Sequence, residues 1–203
     1  MMRTVRIVLW VAVGLAAIAG LVIALRPPPV AAPTSTPAAS NQPVADIGGP
    51  FTLTGADGKP FSTRSLAGKP YAVLFGFTHC PDVCPNTLAR LARLRRAIGN
   101  TDDAFAILFV SVDPERDTPA ELGSYVAMFN APIIPLTGSP SAIEQVKRDF
   151  GVYSAKVAQA GTDYSVDHTA TVFLIDRAGK FAATIAPDEG DAAAIAKLRQ
   201  LAS

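Results

Sequence analysis

The residues best suited to chemistry lie in FTHCPDVCP, residues 77–85, which holds both cysteines of the chain, Cys80 and Cys84. Each is followed by a proline, and three residues separate them. Such a pair can be a disulfide staple, a redox couple or part of a metal site. The staple reading is weak, because closing so short a loop constrains the unfolded chain by only about 2 kcal/mol. Two cysteines are also too few for a disulfide scaffold. Redox enzymes usually set two residues between their cysteines, and a three-residue spacer can instead turn both sulfurs to one side at chelating distance. Soft thiolates select Cu(I), zinc or iron–sulfur iron. A cluster needs further cysteines, and a structural zinc, needing four protein ligands, would take both cysteines and both histidines of the chain. Two thiolates with one imidazole would suit Cu(I). Both His79 and His168 are candidates for that imidazole. His79 adjoins Cys80 and should project away from it, as an ordinary surface histidine would. His168 precedes an apolar run and could meet the cysteines across a sheet edge. Asp167 could support it, or face solvent.

The elements around these residues must position them. The runs YAVLFGF (71–77) and AFAILFVSV (104–112) are continuous and apolar, as in central strands covered on both faces. Between them, residues 87–98 place Leu88, Leu91, Leu94 and Ile98 on one face, an amphipathic helix stopped by Gly99 and Asn100. Pro85 suits the first helical position, which would make Cys84 a near N-cap residue. Thiols at a helix N-terminus feel its positive end, which favours the reactive thiolate. Residues 118–129 form a second helix, with Thr118 as N-cap, Pro119 following and Glu121 completing a capping box. A short strand at 132–136 precedes a helix running from Ser139 and Pro140 to Gly151. Residues 169–176 form a buried strand beginning just after His168, a turn leads into 180–185, and a terminal helix covers 191–201. Residues 51–63 carry a hairpin signal around Ala56, Asp57 and Gly58. Strands alternating with helices give an α/β class with parallel central strands and an antiparallel edge hairpin.

The chain of 203 residues suits one domain with appendages. Residues 7–25 lack any charge and would span about 28 Å as a helix, one bilayer core. Arg3 and Arg6 before the run and Arg26 after it favour a cytoplasmic N-terminus. Residues 1–26 are therefore expected to be a membrane anchor, with a cleaved signal segment as the alternative. Residues 27–47, rich in proline and alanine, form an extended tether, and residues 48–203 the folded domain. The net charge of +1 hides a split. Three of the 18 basic residues lie before the first acidic one, Asp46, leaving 15 against 17 acidic residues in the exported part. No basic tract interleaves with aromatics, so nucleic-acid binding is excluded as a class.

Three segments, FGFTHCPDVCP, LFVSVDPERDTP and DYSVDHTATVFLID, together resemble the Sco/SenC family over residues 48–200. The resemblance implies a thioredoxin-like fold, a central mixed sheet flanked by helices with an N-terminal β-hairpin and an N-terminal transmembrane helix. It implies a copper site made by Cys80, Cys84 and His168, holding Cu(I), with Cu(II) as an open alternative. It further implies a metallochaperone that delivers copper to the binuclear site of cytochrome c oxidase during assembly. Expected partners are the copper-bearing oxidase subunit, other copper chaperones or thiol reductases, and the membrane through the N-terminal helix. The expected location is the inner membrane, single-pass, with the soluble domain on the periplasmic side. The alternative is an enzyme proper, a thiol–disulfide oxidoreductase cycling Cys80 and Cys84 to reduce oxidase cysteines. A redox or copper sensor would look the same. A peroxidase is weaker, since only Thr78 of its required groups lies near a cysteine. The segment SVDPERDTP, 111–119, is a turn and a capped helix start by its prolines and Thr118. That leaves Asp113, Glu115, Arg116 and Asp117 without an account, and the family likeness suggests an auxiliary role near the metal face.

Overall fold

The computed structural model describes residues 47–99, 104–159 and 163–203. The expected anchor over 1–26 and nearly all of the tether lie outside them. No helix among the described residues is long and apolar enough to cross a membrane.

Strands β1 (Thr52–Gly55) and β2 (Pro60–Ser62) form the expected edge hairpin. β3 (Tyr71–Gly76) leads through the cysteine loop into α1 (Val83–Ala97), and β4 (Ala106–Ser111) leads into α2 (Pro119–Ala127). β5 (Ile133–Thr137) and α3 (Pro140–Phe150) follow. Then come β6 (Ser154–Ala158), β7 (Tyr164–His168), β8 (Val172–Ile175), β9 (Phe181–Ile185) and α4 (Asp191–Ala202). Seven strands make one sheet in the order β2-β1-β5-β4-β3-β8-β9, and β6 pairs with β7 as a separate ribbon. β3, β4 and β5 run parallel, while β8 is antiparallel to β3. This is the mixed sheet of a thioredoxin-like fold, flanked by helices.

The two faces of β3 explain its unbroken apolar run. Ala72 and Leu74 pack with Leu88, Leu91 and Leu94 of α1, Leu122 of α2 and Leu198 of α4. Val73 and Phe75 pack on the other face with Ile143, Val146 and Phe150 of α3. Each such side chain contributes about 1.5–3 kcal/mol by leaving water. The caps stand as the sequence predicts. Thr118 and Glu121 form a complete capping box on α2. Ser139 accepts from the Ala142 N–H, and Gly151 ends α3 in the left-handed conformation at φ 64°.

Two expectations are corrected. α1 starts at Val83, with Asp82 as its N-cap, so Cys84 and Pro85 both lie inside the first turn rather than before it. A proline fits anywhere in that turn, because those N–H groups have no helical acceptor; the first such bond runs from Asn86 N–H to the Asp82 carbonyl. His168 does not begin the buried strand, which starts only at Val172. It ends β7, half of a two-stranded ribbon with β6. In β6 and β7 only Val166 is buried, so neither strand shows the alternation that announces a half-buried strand.

Candidate metal centre

The sheet brings three loops to one edge. β3 and β4 are parallel and end level, with Gly76 opposite Ser111, so the cysteine loop and loop 112–118 emerge side by side. β8 is antiparallel, and Val172 at its start pairs with Leu74 near the end of β3. The chain entering β8 therefore arrives at the same edge and carries His168 with it.

Cys80 and Cys84 are both free thiols. Cys84 is buried against Leu88 and Phe109, and its backbone N–H donates to the Cys80 sulfur at 3.4 Å. Cys80 is half-buried and touches the core on both faces of the sheet. The Cys84 sulfur lies 3.3 Å from Nε2 of His168. The other ring nitrogen, Nδ1, sits 3.1 Å from the Val166 carbonyl. A carbonyl only accepts, so Nδ1 is the donor to Val166, and Nε2 is the ring nitrogen that faces the cysteine. That is the arrangement of a ligating histidine, with the outer hydrogen bond fixing tautomer and ring orientation. The ring packs edge-on against Phe77, at 5.5 Å between centroids.

The two thiols share a proton unequally. Hydrogen bonding from Cys84 brings Cys80 down from an ordinary 9.0 to about 5, against the opposing effect of burial. Cys84 is pushed up, by its hydrogen bond to Cys80 and by burial. Cys80 is thus the member of the pair that favours the thiolate, and Cys84 the member that keeps its proton.

The expected trio is brought to one edge, with Cys84 the shared neighbour of Cys80 and His168. Among the described residues, no three Cys, His, Asp or Glu side chains already converge into a metal cage. His79 points elsewhere, as expected: it is exposed, and its Nδ1 pairs with the Thr78 hydroxyl at 3.0 Å. Asp167 is exposed, and the Val166 carbonyl takes the supporting position considered for its carboxylate.

Several neighbours were invisible in the sequence. A Cβ at Gly76 would lie 2.6 Å from the Cys84 sulfur and 2.7 Å from the Phe109 ring, so the strand end must be glycine for that sulfur to sit there. Buried Asp117 accepts from the Thr78 hydroxyl at 2.6 Å and the Ser111 hydroxyl at 2.6 Å, and from the Thr78 N–H. Burial raises its pKa, and those hydrogen bonds partly offset the rise. Asp113, also buried, accepts from Arg116 Nε at 2.5 Å and from the Tyr164 hydroxyl at 2.8 Å. Beside their local partners Ser111 and Arg116, Asp117 and Asp113 meet Thr78 and Tyr164 at sequence separations of 39 and 51.

The sequence profile of the SCO1/SenC family matches residues 39–203. The chain is 43% identical over 132 residues to the mitochondrial SCO1 homolog 1 of Arabidopsis thaliana, an alignment spanning 64% of this chain and 40% of that protein. It therefore spans less than half the length of that relative. Among solved structures, copper-bound ScoI of Bradyrhizobium japonicum is 42% identical with a TM-score of 0.70, over 76% of this chain and 99% of the other. BsSco, described as having a disulfide switch and as a member of the Sco family of cytochrome c oxidase assembly proteins, is 27% identical with a TM-score of 0.62, over 80% and 96%. With a family match over most of its length, and a sheet that gathers its cysteine pair and His168 at one edge, this chain belongs to the SCO1/SenC family.

Proposed function

We propose that the protein is a membrane-anchored copper metallochaperone, in which Cys80, Cys84 and His168 hold Cu(I) as cargo for the binuclear copper site of cytochrome c oxidase. The observation that carries this reading is the 3.3 Å approach of His168 Nε2 to the Cys84 sulfur. Two soft sulfurs and an imidazole match the ligand preference of Cu(I). Copper is bound in the relative from Bradyrhizobium japonicum, and BsSco is described as an oxidase assembly protein. Half-buried Cys80 gives an incoming thiolate a side from which to exchange ligands, while buried Cys84 keeps the cargo from water. Residues 1–26 would anchor the chain in the inner membrane and the tether would hold residues 48–203 on the periplasmic side.

The test is an anaerobic Cu(I) titration of the reduced full chain in detergent, wild type beside His168→Ala. One copper per chain is expected for the wild type. Loss of the outer imidazole should weaken binding at least tenfold, since even the partners that merely orient a ligand are worth about 10–100-fold. Equal affinity in the two proteins would sink the three-ligand reading.

A second reading has its own support. Cys80, held near pKa 5, is an activated thiolate beside a protonated resolving thiol, and the BsSco relative is described with a disulfide switch. A thiol–disulfide oxidoreductase acting on oxidase cysteines would keep its exchange rate in His168→Ala and lose it in Cys80→Ser. The two roles are compatible, because the pair must be reduced before it can hold Cu(I).

A further inference from the structure

The loop between β4 and α2 touches both halves of the candidate site. Its C-terminal part faces the cysteine loop, where Asp117 takes the Thr78 hydroxyl and N–H two residues before Cys80. Its N-terminal part faces the β6–β7 ribbon. Asp113 accepts from the Tyr164 hydroxyl, while Arg116 donates from Nη1 to the Tyr164 carbonyl at 2.9 Å and to Asp163 at 3.0 Å. The guanidinium also lies over the Tyr164 ring at 3.7 Å and faces the Phe77 ring at 5.8 Å. Its Nη2 is buried without a hydrogen-bond partner, and the two rings are what it meets instead. Lys156 on β6 adds an exposed pair with Glu115 at 2.6 Å. Among the described residues, the side-chain hydrogen bonds that tie the ribbon to the rest of the protein come from this loop and from Cys84.

We propose that loop 112–118 is a two-sided bracket: Asp117 fixes the cysteine loop through Thr78, and Asp113 with Arg116 fixes the ribbon through Tyr164, so that the loop sets the separation of His168 from the cysteines. Arg116 and Asp113 are positioning residues, since neither touches the three proposed ligands. This inference rests on the copper reading above only for its consequence, not for its geometry. The ribbon has one buried side chain, Val166, and a two-stranded ribbon is marginal by itself. Its register against the body, and with it the reach of His168, therefore depends on the Asp113–Arg116–Tyr164 cluster. The buried, fully engaged Asp113 carboxylate fixes the guanidinium plane, and the plane in turn holds the Tyr164 ring and carbonyl four residues before His168.

The experiment uses the reduced, metal-free full chain in detergent, with Arg116→Gln and the milder Tyr164→Phe beside the wild type. Nitrogen-15 NMR reads the His168 ring, and hydrogen exchange reads the amides of 164–168. Arg116→Gln should speed that exchange about tenfold or more and replace the single Nδ1–H tautomer of His168 by a mixture. Tyr164→Phe should do the same to a smaller degree. A Cu(I) competition titration should then show about tenfold weaker binding for Arg116→Gln, and no further loss when Arg116→Gln is added to His168→Ala. Either of two results overturns the bracket: a melting temperature that falls while the His168 ring and ribbon amides stay as in the wild type, or an equal copper loss with and without His168. Should His168→Ala itself leave copper affinity intact, the three-ligand reading fails, and the metal-free ring and exchange data still decide the bracket.

Discussion

The two halves of the candidate site are built by opposite means. The cysteine loop grows out of the main sheet: β3 is buried throughout, Cys84 is part of the core, and Gly76 is pared to hydrogen so that its sulfur can press against the strand. The His168 half is a ribbon with exposed Val157 and one buried valine, attached by polar contacts to a neighbouring loop. Close packing fixes Cys84, because a filled core permits one arrangement, and the Asp117 contact with Thr78 only adds to it. The imidazole needs a device, because two strands in water cannot hold their own position. On the proposed copper reading, the packed side would keep its ligands in register, and the ribbon could yield one without disturbing the core.

The comparison can be broken first on the packed side. Gly76→Ala forces a methyl into the space of the Cys84 sulfur and Phe109, so the protein should lose about 1–3 kcal/mol of stability, read from a denaturant titration. The methyl should also push Cys84 off His168, and unchanged stability would show that the strand end has room the structure denies. A smaller, chemical difference separates the two thiols. In the metal-free protein Cys80 should react with iodoacetamide at a rate that climbs through pH about 5 and is level by pH 7, since its thiolate form is already complete there. Cys84, held protonated by burial and its bond to Cys80, should stay unreactive over that range. A rate for Cys80 still rising toward pH 9 would mean that Cys84 does not support its charge. The smallest effect belongs to the rim of the ribbon. Glu115→Gln removes the exposed pair with Lys156, and such pairs contribute little in water. Melting temperature and His168 ring signals should stay as in the wild type, in contrast to Arg116→Gln one residue along.

The sheet's central strands, the capping box at Thr118 and the end of α3 at Gly151 were legible because each is a local matter. An apolar run, a hydroxyl before a proline, and a glycine after a periodic stretch state their structure within a few residues. The cysteine pair was legible as chemistry for the same reason. Its exact place was not. A proline points to the first helical position, yet three positions in the first turn serve it equally, and Pro85 occupies the third. The β6–β7 ribbon escaped because its strands bury a single side chain between them. The pairing of Asp113 with Tyr164, and of Asp117 with Thr78, escaped because charge carries no address along the chain.

By itself, then, the sequence determined the parts: two thiols between a strand and a helix, two histidines of which one adjoins the cysteines, and an acidic–basic loop after the next strand. The tertiary structure decided their assembly. Parallel β3 and β4 put the cysteine loop beside the bracket, and antiparallel β8 brings the chain carrying His168 back to the same edge. Strand direction is a global property of the sheet, so residue types and spacing left His79 and His168 both open, and only the family resemblance pointed to His168.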